Sequence, residues 1–412
     1  MDKNGKRKKV GIIGGGAAGM AAAITAARQG AEVTVLERND RVGKKILMTG
    51  NGKCNLGNYQ LSPEQYYGRN AEWIDQALKR FGTEDTVSFF QGLGLLVKSK
   101  AGYLYPACEQ AAVVLDVLRY EMQSLGVSVI NECKINHIEK EEDSGQILVS
   151  DGNRKFVFDA VILACGSKAA PKTGSDGSGY KLARKLGHSL IPTVPALVQL
   201  KCREDYLKGV AGVRADGEIK VYRGKECVAT ERGELQLTEY GISGIPVFQI
   251  SRIVNYILRE ESEVRVVIDL LPDYDKDAYE AMCTGRALLQ NGRTVEEFFT
   301  GMLNKKLMQL FIKMAGLKGN MPVEQADKKA LTHVYELCRE WQLHVTGSNP
   351  YENAQVCAGG VDTAEITENM ESKLVPGVYF VGEIMDVDGK CGGYNLQWAW
   401  CSGTIAGCAA AK

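Results

Sequence analysis

The first readable pattern is a four-residue apolar run at 10–13, followed by glycines and then by an alanine-rich segment at 17–29 that Gly30 closes. A short apolar run bounded by turn formers predicts a buried strand, and the alanine-rich segment predicts a helix. Residues 33–36 form the next apolar run. Strand, helix and strand at this spacing have the size of a dinucleotide-binding unit. Residues 41–58 are rich in Gly, Lys and Asn and show no periodicity, which marks a functional loop rather than a simple connection. Helical patterns follow at 70–81, 84–93 and 111–125, the last stopped by Gly126. Strands are predicted at 127–130 and 135–138, and a hairpin at 147–150 and 155–158 around Asp151-Gly152. Residues 102–106 read as a turn or edge segment, and 160–164 as a second fully apolar strand ending at Cys165-Gly166. From 191 to 271 the pattern predicts short strands with turns at Asp216-Gly217 and Arg223-Gly224, hence an antiparallel β module. Residues 272–338 read as mostly helical with a loop at 316–322. An apolar strand at 377–381, a Gly-rich loop and an Ala-rich helix complete the chain.

Composition narrows the class. The 412 residues suggest two or three domains. Lys plus Arg equals Asp plus Glu at 50 each, so there is no basic excess to neutralise a phosphate backbone, and a nucleic-acid partner is not expected. Twelve cysteines are scattered without a Cys-x-x-Cys pair or a Cys/His cluster of metal-ligand spacing. That excludes a disulfide scaffold, predicts no metal, and points to a reducing, cytoplasmic setting. Lys3, Lys6, Arg7, Lys8 and Lys9 precede an uncharged stretch at 10–27, which imitates a signal peptide or a short membrane span. The five glycines in that stretch and the strand directly after it argue against both, and no membrane partner is expected.

Gly14-Gly15-Gly16-Ala17-Ala18-Gly19 fits G-x-G-x-x-G. The pattern is weak alone, but here it follows a strand, opens a helix and is answered by Glu37 at the end of the next strand. Gly14 permits the tight turn, Gly16 lets N–H groups approach a pyrophosphate, and Gly19 lets helix and sheet pack closely. The helix N-terminus favours negative charge, and Glu37 can accept from an adenosine ribose. This loop does not choose between FAD and NAD. Gly392-Gly393-Tyr394-Asn395 opens the last helix with unpartnered N–H groups, which suit the flavin edge that becomes negative on reduction.

Together these motifs resemble, nearly end to end, a bacterial family of FAD flavoproteins that includes 3-dehydro-bile-acid Δ4,6-reductase (BaiN-like) and aminoacetone-oxidase-like proteins. The resemblance rests on GIIGGGAAG at 11–19, Lys44-Lys45, TGNGKCN at 49–55, GYLYP at 102–106 and Ala164-Cys165-Gly166 with 174–180. It continues through GISGIP at 241–246, GGVDTAEI at 359–366, MESKLVPGVYFVGE at 370–383 and DVDGKCGGYNLQWAW at 386–400. Lys53, Gly57, Cys165, Cys391 and Cys401 depart from the family's usual residues.

The family implies an α/β fold: a Rossmann-type FAD-binding domain from both chain ends (1–190 and 356–412), an inserted antiparallel, barrel-like β module (191–271 and 339–355) and a helical module (272–338). By the same resemblance Glu37 and Arg38 hold the adenosine half, and Ile135 meets the adenine through its backbone. Lys45, Gly52, Cys54 and Asn55 line the flavin or its diphosphate, and Ala164 and Gly166 pass close to the cofactor. Gly382, Glu383 and Asp388 sit by the ribityl and pyrophosphate groups, and Gly393, Tyr394, Asn395 and Leu396 face the ring edge.

The absence of a close Cys pair excludes a disulfide reductase, and Cys54 reads as a packing residue beside the flavin loop. No second G-x-G-x-x-G exists, so NADH or NADPH is expected as an electron donor that binds only transiently, the alternative being that another donor supplies the electrons. The leading expectation is an ene-reductase that passes hydride from flavin N5 to the β-carbon of an α,β-unsaturated ketone or acid, steroid-like or smaller, while a protein acid protonates the α-carbon. Tyr103, Tyr105, Tyr240 and Tyr394 are the candidates for that acid, each also a natural packing aromatic. The alternatives are an FAD amine oxidase of the aminoacetone type and a non-catalytic FAD redox sensor. A small-molecule substrate is expected where the inserted modules face the flavin; the oligomeric state is left open.

Overall fold

The computed structural model describes residues 7–287 and 292–412; Lys3 and Lys6 of the basic start, and residues 288–291 of the stretch read as helical, lie outside them. The chain divides into two units, Met1–Val194 with Gln355–Lys412, and Pro195–Ala354.

The first unit is built on a five-stranded parallel sheet in the order Val378–Phe380, Ala160–Leu163, Lys9–Ile13, Glu32–Leu36, Ser128–Ile130. Val10 lies opposite both Ala160 and Val33. Val10, Ile12, Val161, Ile162, Val378 and Phe380 are fully buried, as a parallel sheet covered on both faces requires. The predicted first helix is Ala17–Arg28, and Gly30 ends it in the left-handed region. It packs on the last helix, Tyr394–Ala410, at contact positions that only glycine fits. A Cβ on Gly403 would lie 2.4 Å from Ala18 O, and one on Gly407 2.5 Å from Ala22 O.

The predicted helices at 70–81, 84–93 and 111–125 are found as Ala71–Arg80, Thr83–Gln91 and Ala111–Ser124. The Asn70 side chain caps the first of them by accepting from the Trp73 N–H at 3.1 Å. The hairpin of Ile147–Ser150 and Lys155–Phe158 carries a third strand, His137–Lys140, two residues later than the sequence placed it. Tyr103–Pro106 is not an edge: it is the middle strand between Gly57–Asn58 and Val97–Lys100.

The second unit holds a closed barrel of six antiparallel strands, in the order Leu200–Cys202, Gly241–Gly244, Glu226–Thr238, Arg214–Arg223, Val264–Asp269, Trp341–Ser348. Two expectations fail here. Asp216-Gly217 is no turn but lies inside a ten-residue strand, where Gly217 pairs with Gly233 and a Cβ would meet Asp269 O at 2.8 Å. The β module also contains a helix, Ile245–Ile257. Its β-branched residues imitate a strand, but Pro246 opens it, and Val247, Ile250, Ser251 and Val254 are buried at helical spacing. Lys276–Ala287, Val295–Phe299, Lys305–Met314 and Lys328–Arg339 make the expected helical stretch.

Candidate functional site

The carboxyl ends of the parallel strands in the first unit open into one cleft. It is lined by residues 13–18, 36–39, 43–46, 133–135, 164–166 and 173–175, by Thr49, Ser178, Gln355 and Val356, and by residues 381–383, Val387, Asn395, Leu396, Trp398 and Ala399. Ligands in open α/β sheets bind at such strand ends.

The three motif glycines have different reasons to be glycine. Gly14 has φ +106°, and a Cβ there would lie 2.5 Å from Ala164 O. A Cβ on Gly19 would meet Gly14 O at 2.0 Å, so this glycine lets the helix sit against the turn. Gly16 has φ −79°, which any residue adopts, and a Cβ there would meet nothing within 4 Å. Gly16 therefore faces open cleft. The first intrahelical hydrogen bond is Met20 N–H to Gly16 O at 2.9 Å, which leaves the N–H groups before it without helical acceptors. A backbone that crowds protein at two glycines and leaves space at the third is a cradle for a phosphate group.

Glu37 is 6% exposed. Its Oε2 accepts from the Gly15 N–H and its Oε1 from the Asn39 N–H, both at 2.8 Å. A carboxylate has about four lone-pair sites, so each oxygen retains capacity for a ribose hydroxyl. Arg38 is ion-paired with Asp176 and donates to Gly174 O at 3.3 Å. Lys134 also pairs with Asp176, at 3.2 Å. Burial works against the Asp176 carboxylate, but hydrogen bonds from Ser178 and Arg38 hold it below the usual carboxylate range.

Lys45 and Glu383 meet in the lining, Nζ to Oε2 at 2.6 Å, although 338 residues separate them. The other oxygen of Glu383 accepts from Ser167 Oγ at 2.7 Å and from the Cys357 N–H at 2.9 Å. Gly382, just before it, is gripped by the last helix: its N–H donates to Ser402 Oγ at 2.9 Å and its carbonyl accepts from Trp398 Nε1 at 3.3 Å. Asn395 closes the loop before that helix, accepting from the Gly389 N–H at 2.8 Å and donating to Gly389 O at 2.7 Å.

Of the residues singled out from the sequence, the cleft brings together Gly14, Gly16, Ala17, Ala18, Glu37, Arg38, Lys45, Ile135, Ala164, Gly166, Gly382, Glu383, Asn395 and Leu396. Gly19, Gly52, Cys54, Asn55, Asp388, Gly393 and Tyr394 do not line it. Cys54 is fully buried, and burial pushes its thiol up to about 12, the behaviour of a packing residue. Asn55 Oδ1 lies where a Cβ on Gly393 would come within 2.5 Å, so Gly393 can only be glycine. Tyr394 is buried and its OH donates to Gln60 O at 3.4 Å; burial raises its phenol, as it does that of Tyr105. Tyr103 is 37% exposed. Tyr240 belongs to the second unit, where its OH accepts from Asn349 Nδ2 at 2.9 Å. Asn39, Lys134, Ser175, Gln355 and Trp398 line the cleft without having been singled out, since each arrives from a separate segment. For Asn39 a signal existed, two residues after Glu37.

The fold and this cleft define a flavin-dependent oxidoreductase with a Rossmann-type FAD domain. A family model described as "HI0933-like protein Rossmann domain" matches residues 8–409, and the chain belongs to that family. The 3-dehydro-bile acid delta(4,6)-reductase of Clostridium scindens is 43% identical over 98% of this chain and 99% of its own. A ribosomal RNA dihydrouridine synthase of Haemophilus influenzae is 31% identical over 95% of each chain. The structure of 3-ketosteroid delta1-dehydrogenase from Sterolibacterium denitrificans superimposes with a TM-score of 0.51 over 98% of this chain and 99% of that one; at 11% identity it shares the fold. Among the described residues no helix is long and apolar enough to cross a membrane.

Proposed function

We propose that this protein is an ene-reductase that takes electrons from NADH or NADPH and reduces a C=C bond conjugated to a carbonyl in a steroid-like small molecule. The observation that carries the reading is the 43% identity, across nearly the whole of both chains, to a reductase of 3-dehydro-bile acids. FAD, when bound, supplies hydride transfer at its N5 position. The chain's own residues do the rest. The N–H groups at 16–18 bind the pyrophosphate, and the Glu37 carboxylate accepts from the ribose. Lys45, Ser167 and the Cys357 N–H orient Glu383, and the Trp398–Ser402 grip fixes the backbone before it. The proton for the α-carbon comes from a side-chain acid, for which we take Tyr394, a buried phenol whose burial raises its pKa and keeps it protonated at neutral pH. Twelve free cysteines accord with action in the cytoplasm.

One further substrate class has support. Two ribosomal RNA dihydrouridine synthases are 31% and 30% identical over 95% of this chain. Forming dihydrouridine saturates a C=C bond conjugated to a carbonyl, so the bond type is shared and only the carrier differs. The balanced charge of this chain favours the small molecule. The test is an anaerobic titration of the yellow protein with NADH and then NADPH, followed by a steroid dienone acid and, separately, unmodified ribosomal RNA. Bleaching by nicotinamide, reoxidation by the dienone and a product heavier by two hydrogens are expected. Reoxidation by RNA but not by the dienone would overturn the proposal, as would bleaching by an amine.

A further inference from the structure

The small sheet of the first unit presents a face that carries lysines and tyrosines. Lys98 lies opposite Tyr105 and Lys100 opposite Tyr103, so all four side chains leave the same side of the sheet. Leu104, between the two tyrosines, points the other way and is 1% exposed. Lys53 joins the same face through a shared partner: Glu109 binds Lys53 Nζ and Lys98 Nζ, each at 2.7 Å. Both lysines hold the Glu109 carboxyl down at about 2, so it stays ionised and cancels one charge of the three. Lys100 is exposed and makes no ion pair among the described residues. The face is thus two phenol rings framed by three lysines and one glutamate, a net positive cluster.

None of Lys53, Lys98, Lys100, Tyr103 and Tyr105 lines the cleft; loop segments that do line it connect it to this face at two places. The position of a Cβ on Gly50 is 3.9 Å from the Tyr105 ring, and Thr49 lines the cleft. The position of a Cβ on Gly392 is 3.0 Å from the Tyr103 ring, and Asn395 lines the cleft. In the intervening loop Asn51 and Cys54 adopt φ +52° and +58°.

Resting on the ene-reductase reading, we propose that Lys53, Lys98 and Lys100 with Tyr103 and Tyr105 form a substrate subsite that receives the carboxylate of an anionic ring-bearing substrate, so that the acid is preferred to its neutral form. The charge complementarity assigns the anion, and the tyrosine faces offer apolar area beside it. A ribose-phosphate polymer would need a wider basic track than three lysines against one glutamate.

The test uses oxidised FAD-loaded protein and a pair of ligands, a 3-oxo steroid with a side-chain carboxylate and its primary amide, with binding measured by calorimetry at low and high salt. Binding to the oxidised protein needs no turnover, so its failure and that of the ene-reductase reading are separable. The acid is expected to bind about tenfold more tightly than the amide at low salt, with the advantage shrinking as salt screens the lysines. Lys98→Gln/Lys100→Gln is expected to weaken the acid about fivefold and leave the amide unchanged, the size of two exposed charge contacts. Tyr103→Ala is expected to weaken both ligands alike. Lys79→Gln, a charge removal on Ala71–Arg80 at a lysine whose ion pair is with Asp75 of the same helix, leaves the acid's advantage intact and controls for net charge. Equal binding of acid and amide, no binding of either, or an unchanged acid advantage in the double lysine variant overturns the proposal. A ribosomal RNA stem-loop that displaces the acid and loses affinity in the lysine variant would also overturn it, in favour of a nucleic-acid surface.

Discussion

Gly16→Val separates the cofactor cradle from the fold. The backbone of Gly16 has φ −79° and ψ −170°, so valine adds no left-handed strain, and its Cβ would meet no protein atom within 4 Å. The added methyls occupy cleft space instead, in front of the N–H groups of the first helical turn. Hydrogen bonds to a charged group are worth about 1.5–3 kcal/mol each, so pushing a pyrophosphate off two of them removes about 3–6 kcal/mol. That corresponds to an FAD dissociation constant raised by about two to four powers of ten. The fold loses little, since replacing an N-cap glycine by a residue that cannot cap costs about 1 kcal/mol. The assay is the ratio of flavin to protein absorbance after purification, FAD titration of the apoprotein by fluorescence, and the apoprotein's melting temperature. The expected variant is colourless, folded and about as stable as the wild-type apoprotein. Gly19→Ala is the contrast: its Cβ would lie 2.0 Å from Gly14 O, so the fold itself must shift and the melting temperature falls. A yellow, FAD-replete Gly16→Val protein would refute the assignment of the cradle, and an unfolded one would refute the claim that Gly16 faces open space.

Three further outcomes are expected. Lys45→Gln leaves Glu383 without its cationic partner in the cleft wall and should weaken FAD binding by about three- to tenfold, while Lys45→Arg restores most of it; unchanged affinity in the glutamine variant would exclude a role for the pair. Under native conditions a thiol reagent should titrate Cys108 and Cys227 rapidly and leave the flavin spectrum unaltered, because Cys54, Cys133, Cys338, Cys357 and Cys401 are buried; rapid flavin bleaching on labelling would contradict the packing role of Cys54. His188 is held by Glu365 at 2.9 Å and Ser372 at 2.7 Å, and burial lowers its pKa below the ordinary 6.5, so the folded protein favours the neutral ring. Its contribution is present above pH 6.5 and lost as pH falls through the lowered value. The wild-type melting temperature should therefore drop between pH 7 and 5 more than that of His188→Gln; equal slopes would show that His188 does not titrate in that window.

How much was legible depends on how local the determinant is. The phosphate loop was readable because its chemistry needs glycines at fixed spacing between a strand and a helix, and Glu37 because the next strand ends there. The parallel strands were readable as short apolar runs buried on both faces. The helix Ile245–Ile257 was not, because isoleucine and valine weigh toward strands and only packing against the barrel shows that the spacing is helical. Asp216-Gly217 was misread because its glycine serves close strand approach rather than a turn.

The sequence alone determined the nucleotide loop, the resemblance to an FAD family and the alternation of α/β and β segments, all consequences of spacing within a few tens of residues. Only the tertiary structure decided that Lys45 and Glu383 form one ion pair, that Trp398 and Ser402 grip Gly382, and that Lys98 and Lys100 stand beside Tyr105 and Tyr103. Those contacts depend on strand register and helix packing between segments remote in the chain, and no local propensity encodes which distant backbone a side chain will meet.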